Sequence, residues 1–89
     1  MTEFSFLLFV TSKKSYKSIK AVENLDKICK GHKFNLTILD LTENPQIAKS
    51  LGIIATPFLI KYLPRPTIKI IGDLSNLKIN SLMNRNSNI

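Results

Sequence analysis

A single cysteine, Cys29, and a single histidine, His32, narrow the chemistry open to this 89-residue chain. One thiol cannot close an internal disulfide, make a Cys-x-x-Cys redox pair or build a Cys-rich metal site. One imidazole would need a cluster of carboxylates beside it to hold a metal, and the sequence offers none, so neither metal nor cofactor is expected. The three glycines lie far apart, each in a turn role, which leaves no glycine-rich phosphate loop. No apolar run has the length of a membrane span. The opening "MTEFSFLLFV" lacks the basic n-region and small-residue cleavage site of a signal peptide. A cytoplasmic protein with no membrane partner is the expectation.

Acidic residues are also scarce. Lys and Arg number 13 against 6 Asp and Glu, a net charge of +7. Lys13, Lys14, Lys17, Lys20, Lys27, Lys30 and Lys33 gather that charge in the first third of the chain. Such a face attracts anionic partners, although singly each lysine reads as a solvated side chain. No helix-turn-helix, zinc-finger or RNP aromatic pattern accompanies them, so a nucleic-acid partner would rest on charge alone and is not expected.

The length fits one domain, placed at residues 1–83, with "NRNSNI" at 84–89 read as a flexible tail. Phe4 to Val10 is a near-continuous apolar run, which suits a strand buried on both faces. Ile19, Val22, Leu25 and Ile28 then recur at three-residue spacing, with Ala21 and Cys29 beside them. That is an amphipathic helix, started by Ser15 or Ser18 and ended at Gly31. "KFNLTILDL" reads as a second strand, and the strand–helix–strand unit favours a parallel crossover. "TENPQIAKSLGI" is a short helix with Thr42 or Asn44 as cap, Pro45 in its first turn and Gly52 at its close, and with Ile47, Ala48 and Leu51 facing inward. "IIATPFLIKYL" and "TIKIIG" are strands separated by the stiff turn Pro64–Pro66. "DLSNLKINSLM" is a final helix capped by Asp73 or Ser75, with Leu74, Leu77, Leu82 and Met83 inward.

The order β-α-β-α-β-β-α is that of a thioredoxin-like α/β domain. A proline at the entrance to its third strand costs little ladder bonding, and Thr56–Pro57 is there a candidate cis peptide. A thioredoxin enzyme, however, needs a low-pKa thiolate where the first helix begins. Here that loop reads "TSKKSYKS": the setting is positive, but it carries no sulfur, and Cys29 lies several turns away. No histidine–carboxylate pair accompanies Ser12, Ser15 or Tyr16, and His32 reads as a surface cation near a helix C-terminus. A binding module, not an enzyme, is the expected class.

The stretch "LDLTENPQIAKSLGIIATPFLIKYLPRPTIKIIGDLS" resembles the KaiB family, the small adaptors of the cyanobacterial circadian clock. The resemblance rests on Asp40, Asn44, Pro45, Ala48, Ala55, Thr56, Pro57, Leu59, Lys61, Pro64, Pro66 and the run Ile70 to Ser75. It implies a non-catalytic protein that binds a KaiC-type ATPase ring, modulates its phosphorylation rhythm, helps to sequester KaiA and competes with sensor kinases of the SasA type. It implies a metamorphic chain as well, whose ground state, a dimer or tetramer, has the alternative order β-α-β-β-α-α-β. Cyanobacterial cytosol is the implied place, or plastid stroma for an organelle-encoded chain.

By position, Gly72 and Asp73 match the residues that govern the family's fold balance, and Phe4 stands where a tyrosine is usual. Thr56 and Pro57 join them as fold-switch candidates. Partner contact is expected at Lys13 and Lys14, at Asp40 and Asn44, and at Lys61, Tyr62, Pro64 and Arg65. Two rival readings share the fold: a thioredoxin-like redox enzyme, and a SasA-type sensor domain.

Overall fold

The computed structural model describes residues 3–83; the tail read at 84–89 lies outside them. Four strands and three helices follow in the order β1 (Glu3–Val10), α1 (Tyr16–Ile28), β2 (Lys33–Asp40), α2 (Pro45–Leu51), β3 (Phe58–Leu63), β4 (Ile68–Ile71) and α3 (Ile79–Met83). The sheet order is β2-β1-β3-β4. β1 and β2 run parallel, from Glu3 opposite Lys33 to Val10 opposite Asp40. β3 returns antiparallel to β1, and β4 antiparallel to β3.

The core lies on one face of this sheet. Phe4, Phe6, Leu8 and Val10 alternate inward from β1 and meet Leu59 of β3, Ala21, Leu25 and Cys29 of the α1 region, and Leu74 and Leu82. The fully buried phenylalanines each contribute roughly 1.5–3 kcal/mol of apolar burial, with Phe4 stacked on Phe6 at 5.8 Å. On the opposite face Phe9 is also buried, beside Phe58 at 6.2 Å.

α1 begins where expected. Ser15 is its N-cap, and the Ser15 hydroxyl accepts the Ser18 N–H at 3.1 Å. Its buried line is Ser18, Ala21, Leu25 and Cys29, with Ile19 left 47% exposed. The small residues Ser18 and Ala21 let the helix sit close to the sheet, which turns Ile19 outward. His32, expected on the surface, is half-buried with its ring 5.6 Å from that of Phe4.

α2 has Pro45 in its first turn and Gly52 at its C-cap with φ +67°, the left-handed conformation glycine tolerates. Leu51, expected inward, is 56% exposed, and no residue of α2 is fully buried. β3 starts at Phe58, after Pro57, so the apolar Ile53–Ala55 is loop and not strand. The Thr56–Pro57, Leu63–Pro64 and Arg65–Pro66 peptides are all cis. α3 is shorter than the sequence suggests. Residues 73–78 form a loop with a turn at 75–76, Leu77 is half-buried and Met83 is 40% exposed, while Leu74 and Leu82 are buried.

Candidate functional site

Three connections meet at one end of the sheet: the loop after β1, the loop after β2 and the loop before β3. Parallel pairing brings the first two together, because Val10 stands opposite Asp40. The third arrives because β3 begins beside the end of β1, with Phe58 opposite Phe9. The hydroxyls of Thr11 and Thr56 are 3.2 Å apart and tie the first loop to the residue before Pro57.

Asp40 is the best-defined polar group here. Its Oδ1 accepts both the hydroxyl and, at 2.8 Å, the N–H of Thr42. These bonds, with a smaller part from the charge and backbone of Lys13, hold its carboxyl below the ordinary 3.8. Asn44 is the N-cap position of α2, but its side chain turns back, donating to the Asp40 carbonyl at 3.4 Å. Lys13, Lys14 and Asn44 are exposed. The structure therefore groups Lys13, Lys14, Asp40 and Asn44 at one corner.

Beside that corner is a depression of about 200 Å³, lined by Thr11, Leu41, Ala48, Ile53, Ile54 and Thr56 among others. Ile54 is 91% exposed. Its exposure was concealed in the sequence by the apolar run "IIATPFLI". The signal for it is Pro57: a strand that starts after the proline leaves the residues before it in a loop. Tyr16, at the start of α1, is also strongly exposed.

Tyr62, Pro64 and Arg65 are exposed at the opposite end of the sheet, at the β3–β4 turn. Leu63 pairs with Ser5, five residues down β1 from Val10, which places this group about 17 Å from the Asp40 corner. Lys61 is separated from both groups. It is 2% exposed, on the core face next to Phe6, and among its contacts its Nζ donates to the Leu82 carbonyl at 2.9 Å. Its aliphatic stem packs in the core while the ammonium reaches the C-terminal turn of α3. Lys61 fastens an element and presents no charge at the surface.

The fold-switch candidates Phe4, Gly72 and Asp73 are held by packing and hydrogen bonds. Phe4 is in the core. Gly72, with φ +115°, donates its N–H to the Pro57 carbonyl at 2.8 Å, so the two ends of the β3–β4 hairpin are joined. Asp73 Oδ1 accepts the Ser75 N–H at 3.0 Å, and its carbonyl accepts from Asn24 of α1 at 2.8 Å. The Ser75 bonds chiefly, with Lys17 and Lys20 adding less, lower the Asp73 pKa below 3.8.

The thiol lies far from this end. Cys29 is the C-cap of α1 and is buried, and burial, with the nearby Asp26 carboxylate, pushes its pKa up to about 11. The N-terminus of α1 carries the Ser15 cap in its place. Among the described residues no group of three or more His, Cys, Asp and Glu side chains could hold a metal ion, and no helix is long and apolar enough to cross a membrane.

The family model described as KaiB domain matches residues 7–86. The chain belongs to the KaiB family. Its relatives include circadian clock protein KaiB3 of Synechocystis, 40% identical over 79 residues that cover 85% of this chain and 76% of that one. Circadian clock oscillator protein KaiB of Thermosynechococcus vestitus is 46% identical over 63 residues, 70% of this chain but 57% of its relative. This KaiB-family chain thus aligns with little more than half the length of that relative.

In fold it is similar to the N-terminal domain of Synechococcus elongatus SasA, with TM-score 0.74, 22% identity and coverage of 92% of this chain and 81% of that one. Chloroplastic thioredoxin z is similar too, with TM-score 0.67, 15% identity and coverage of 92% and 74%. At such identities these likenesses establish the thioredoxin-like fold alone. The KaiB signature residues now have places. Asn44 and Pro45 open α2, Thr56 and Pro57 lead into β3, Pro64 and Pro66 make the β3–β4 turn, and Gly72 and Asp73 close β4.

Proposed function

We propose that this chain is a non-catalytic adaptor that binds a KaiC-type ATPase ring and modulates its phosphorylation rhythm. One observation carries the reading. A KaiB-family chain with a thioredoxin-like frame presents, where a thioredoxin enzyme has its thiolate, the serine-capped basic loop "TSKKSYKS" and an apolar shelf around Ile54. Lys13, Lys14, Asp40 and Asn44 form the polar part of the contact, and Ile54 its apolar part. Tyr62, Pro64 and Arg65 extend it along the sheet. The span of about 17 Å between the two groups fits within a standard interface of about 800 Å² per partner.

On this reading KaiA and SasA-type kinases are further partners, and a homo-oligomer is the resting form. Thr56, Pro57, Gly72 and Asp73, with Phe4 in the core near the far end of β1, are the points about which the C-terminal half rearranges between two folds a few kcal/mol apart. Spectra of a single fold, unchanged on adding the ring, would remove that part of the proposal.

The test is co-migration with a hexameric KaiC ring held in its ADP-bound state. Binding by the native chain, and its loss in a Lys13→Glu/Lys14→Glu double variant with a native spectrum, is expected. Absence of binding in every nucleotide state would reject the adaptor role. Insulin reduction separates the redox rival: no activity is expected, and turnover would revive it.

A further inference from the structure

The second surface is the outer edge of β4, which pairs with no further strand among the described residues. β4 is the outermost strand on the side away from β2. Three strand spacings, about 14 Å, separate that edge from the Asp40 corner. The direction of its backbone groups follows from one hydrogen bond. The Gly72 N–H donates to the Pro57 carbonyl. The register sets Phe58 opposite Ile71 and Leu59 opposite Ile70, so Gly72 and Pro57 stand opposite each other at a hydrogen-bonded position. Such positions alternate along an antiparallel ladder. Ile68 and Ile70 therefore direct their N–H and C=O toward β3, and Lys69 and Ile71 direct theirs outward.

The side chains of Lys69 and Ile71 share one sheet face and both are exposed, Ile71 by 57%. Beside the edge, Ile70, the 72–77 turn and Ser81 frame a groove of about 270 Å³. The charges around it are mostly of one sign. Lys69 lies on the strand and Lys78 follows the groove residue Leu77, both exposed. Lys17 and Lys20 of α1 lie close enough to Asp73 to lower its pKa. Asp73, the acidic residue of the groove, already accepts from Ser75.

We propose that the β4 edge takes an extended acidic segment of a partner protein as an added strand. The outward N–H and C=O of Lys69 and Ile71 supply main-chain bonds. An apolar side chain of the incoming strand meets Ile71, and a carboxylate meets Lys69 or Lys78. A second copy of this chain is the poorer occupant, because pairing two such edges brings lysine-bearing strands together and a central lysine guards an edge against that association.

The probe is a synthetic peptide repeating valine–threonine–glutamate–threonine, which sets valine and glutamate in turn on one strand face, titrated into the isotope-labelled chain, with a peptide carrying lysine in place of glutamate as control. Shifts confined to β4 and residues 72–77 are expected, with amide exchange of Lys69 and Ile71 slowed at least about tenfold at saturation. Lys69→Glu should weaken the acidic peptide about tenfold. Lys69→Pro should abolish binding and keep the fold, since the N–H it removes points away from the ladder. Shifts on β2 in place of β4, equal binding of the basic peptide, no binding, or unfolding of the Lys69→Pro chain would overturn the proposal.

Discussion

Cys29 shows how position decides the chemistry of a side chain. Burial beside Asp26 pushes its thiol up from 9.0 to about 11, so about 100-fold less thiolate is present near neutrality. Native protein at mildly alkaline pH should react with a thiol reagent about 100-fold more slowly than the denatured chain, as stopped-flow absorbance would reveal. Asp40 is the opposite case, a carboxylate held ionised by its neighbours. Its folded pKa is lowered, so its contribution to stability is complete above the ordinary 3.8 and is lost as pH falls through the folded value. Thr42→Ala deletes the hydroxyl donor and keeps the N–H, so the Asp40 pKa should rise partway toward 3.8 in a carboxyl NMR titration. Gly72 is a backbone case. A Cβ there would meet nothing within 4 Å, yet φ is +115°. Gly72→Ala should therefore destabilise this fold by about 1–2 kcal/mol through backbone strain alone, measured by urea unfolding. Leu74 tolerates φ +68° because its side chain is buried among core residues.

The order of strands and helices was legible because each has a strong local signature. β1 is a long apolar run, α1 opens on a serine cap, and α2 lies between a proline and a glycine. The limits of the later elements were harder to read, for a physical reason. Apolar character alone marks neither extension nor burial, so Ile53 and Ile54 read as strand although Pro57 postpones β3 to Phe58 and leaves Ile54 exposed in a loop. At α3, six residues with caps and leucines look helical, but Leu74 is drawn into the core by a left-handed turn and the helix waits until Ile79. Lys61 was the least legible residue of the candidate site. A lysine in an alternating strand reads as exposed, and only the packing of α3 over the sheet shows that its ammonium reaches inward to Leu82. Lys61→Met keeps most of the stem and removes that donor. It should cost about 1–3 kcal/mol and speed amide exchange in α3 before exchange in β1. Equal acceleration throughout the sheet would assign Lys61 to the general core instead.

Taken as a single body, the molecule has a one-sided core, a net charge of +7 and two surfaces of different character. The Asp40 corner unites residues from three loops that only the sheet's parallel pair and returning strand bring together. Sequence resemblance could name those residues but could not show that Tyr62, Pro64 and Arg65 stand at the other end. For the proposed adaptor role the basic loop is the part to test, because exposed charges accelerate and orient encounter with an acidic partner and are screened by salt. The decisive measurement is the affinity of this chain for a KaiC-type ring across a salt series, made alongside the Lys13→Glu/Lys14→Glu variant. Docking through the basic corner predicts that native affinity falls as salt rises and that the variant binds at least about tenfold more weakly at low salt, with the gap narrowing as salt is added. A salt-independent affinity equal for both proteins would show that this corner is not where the partner sits.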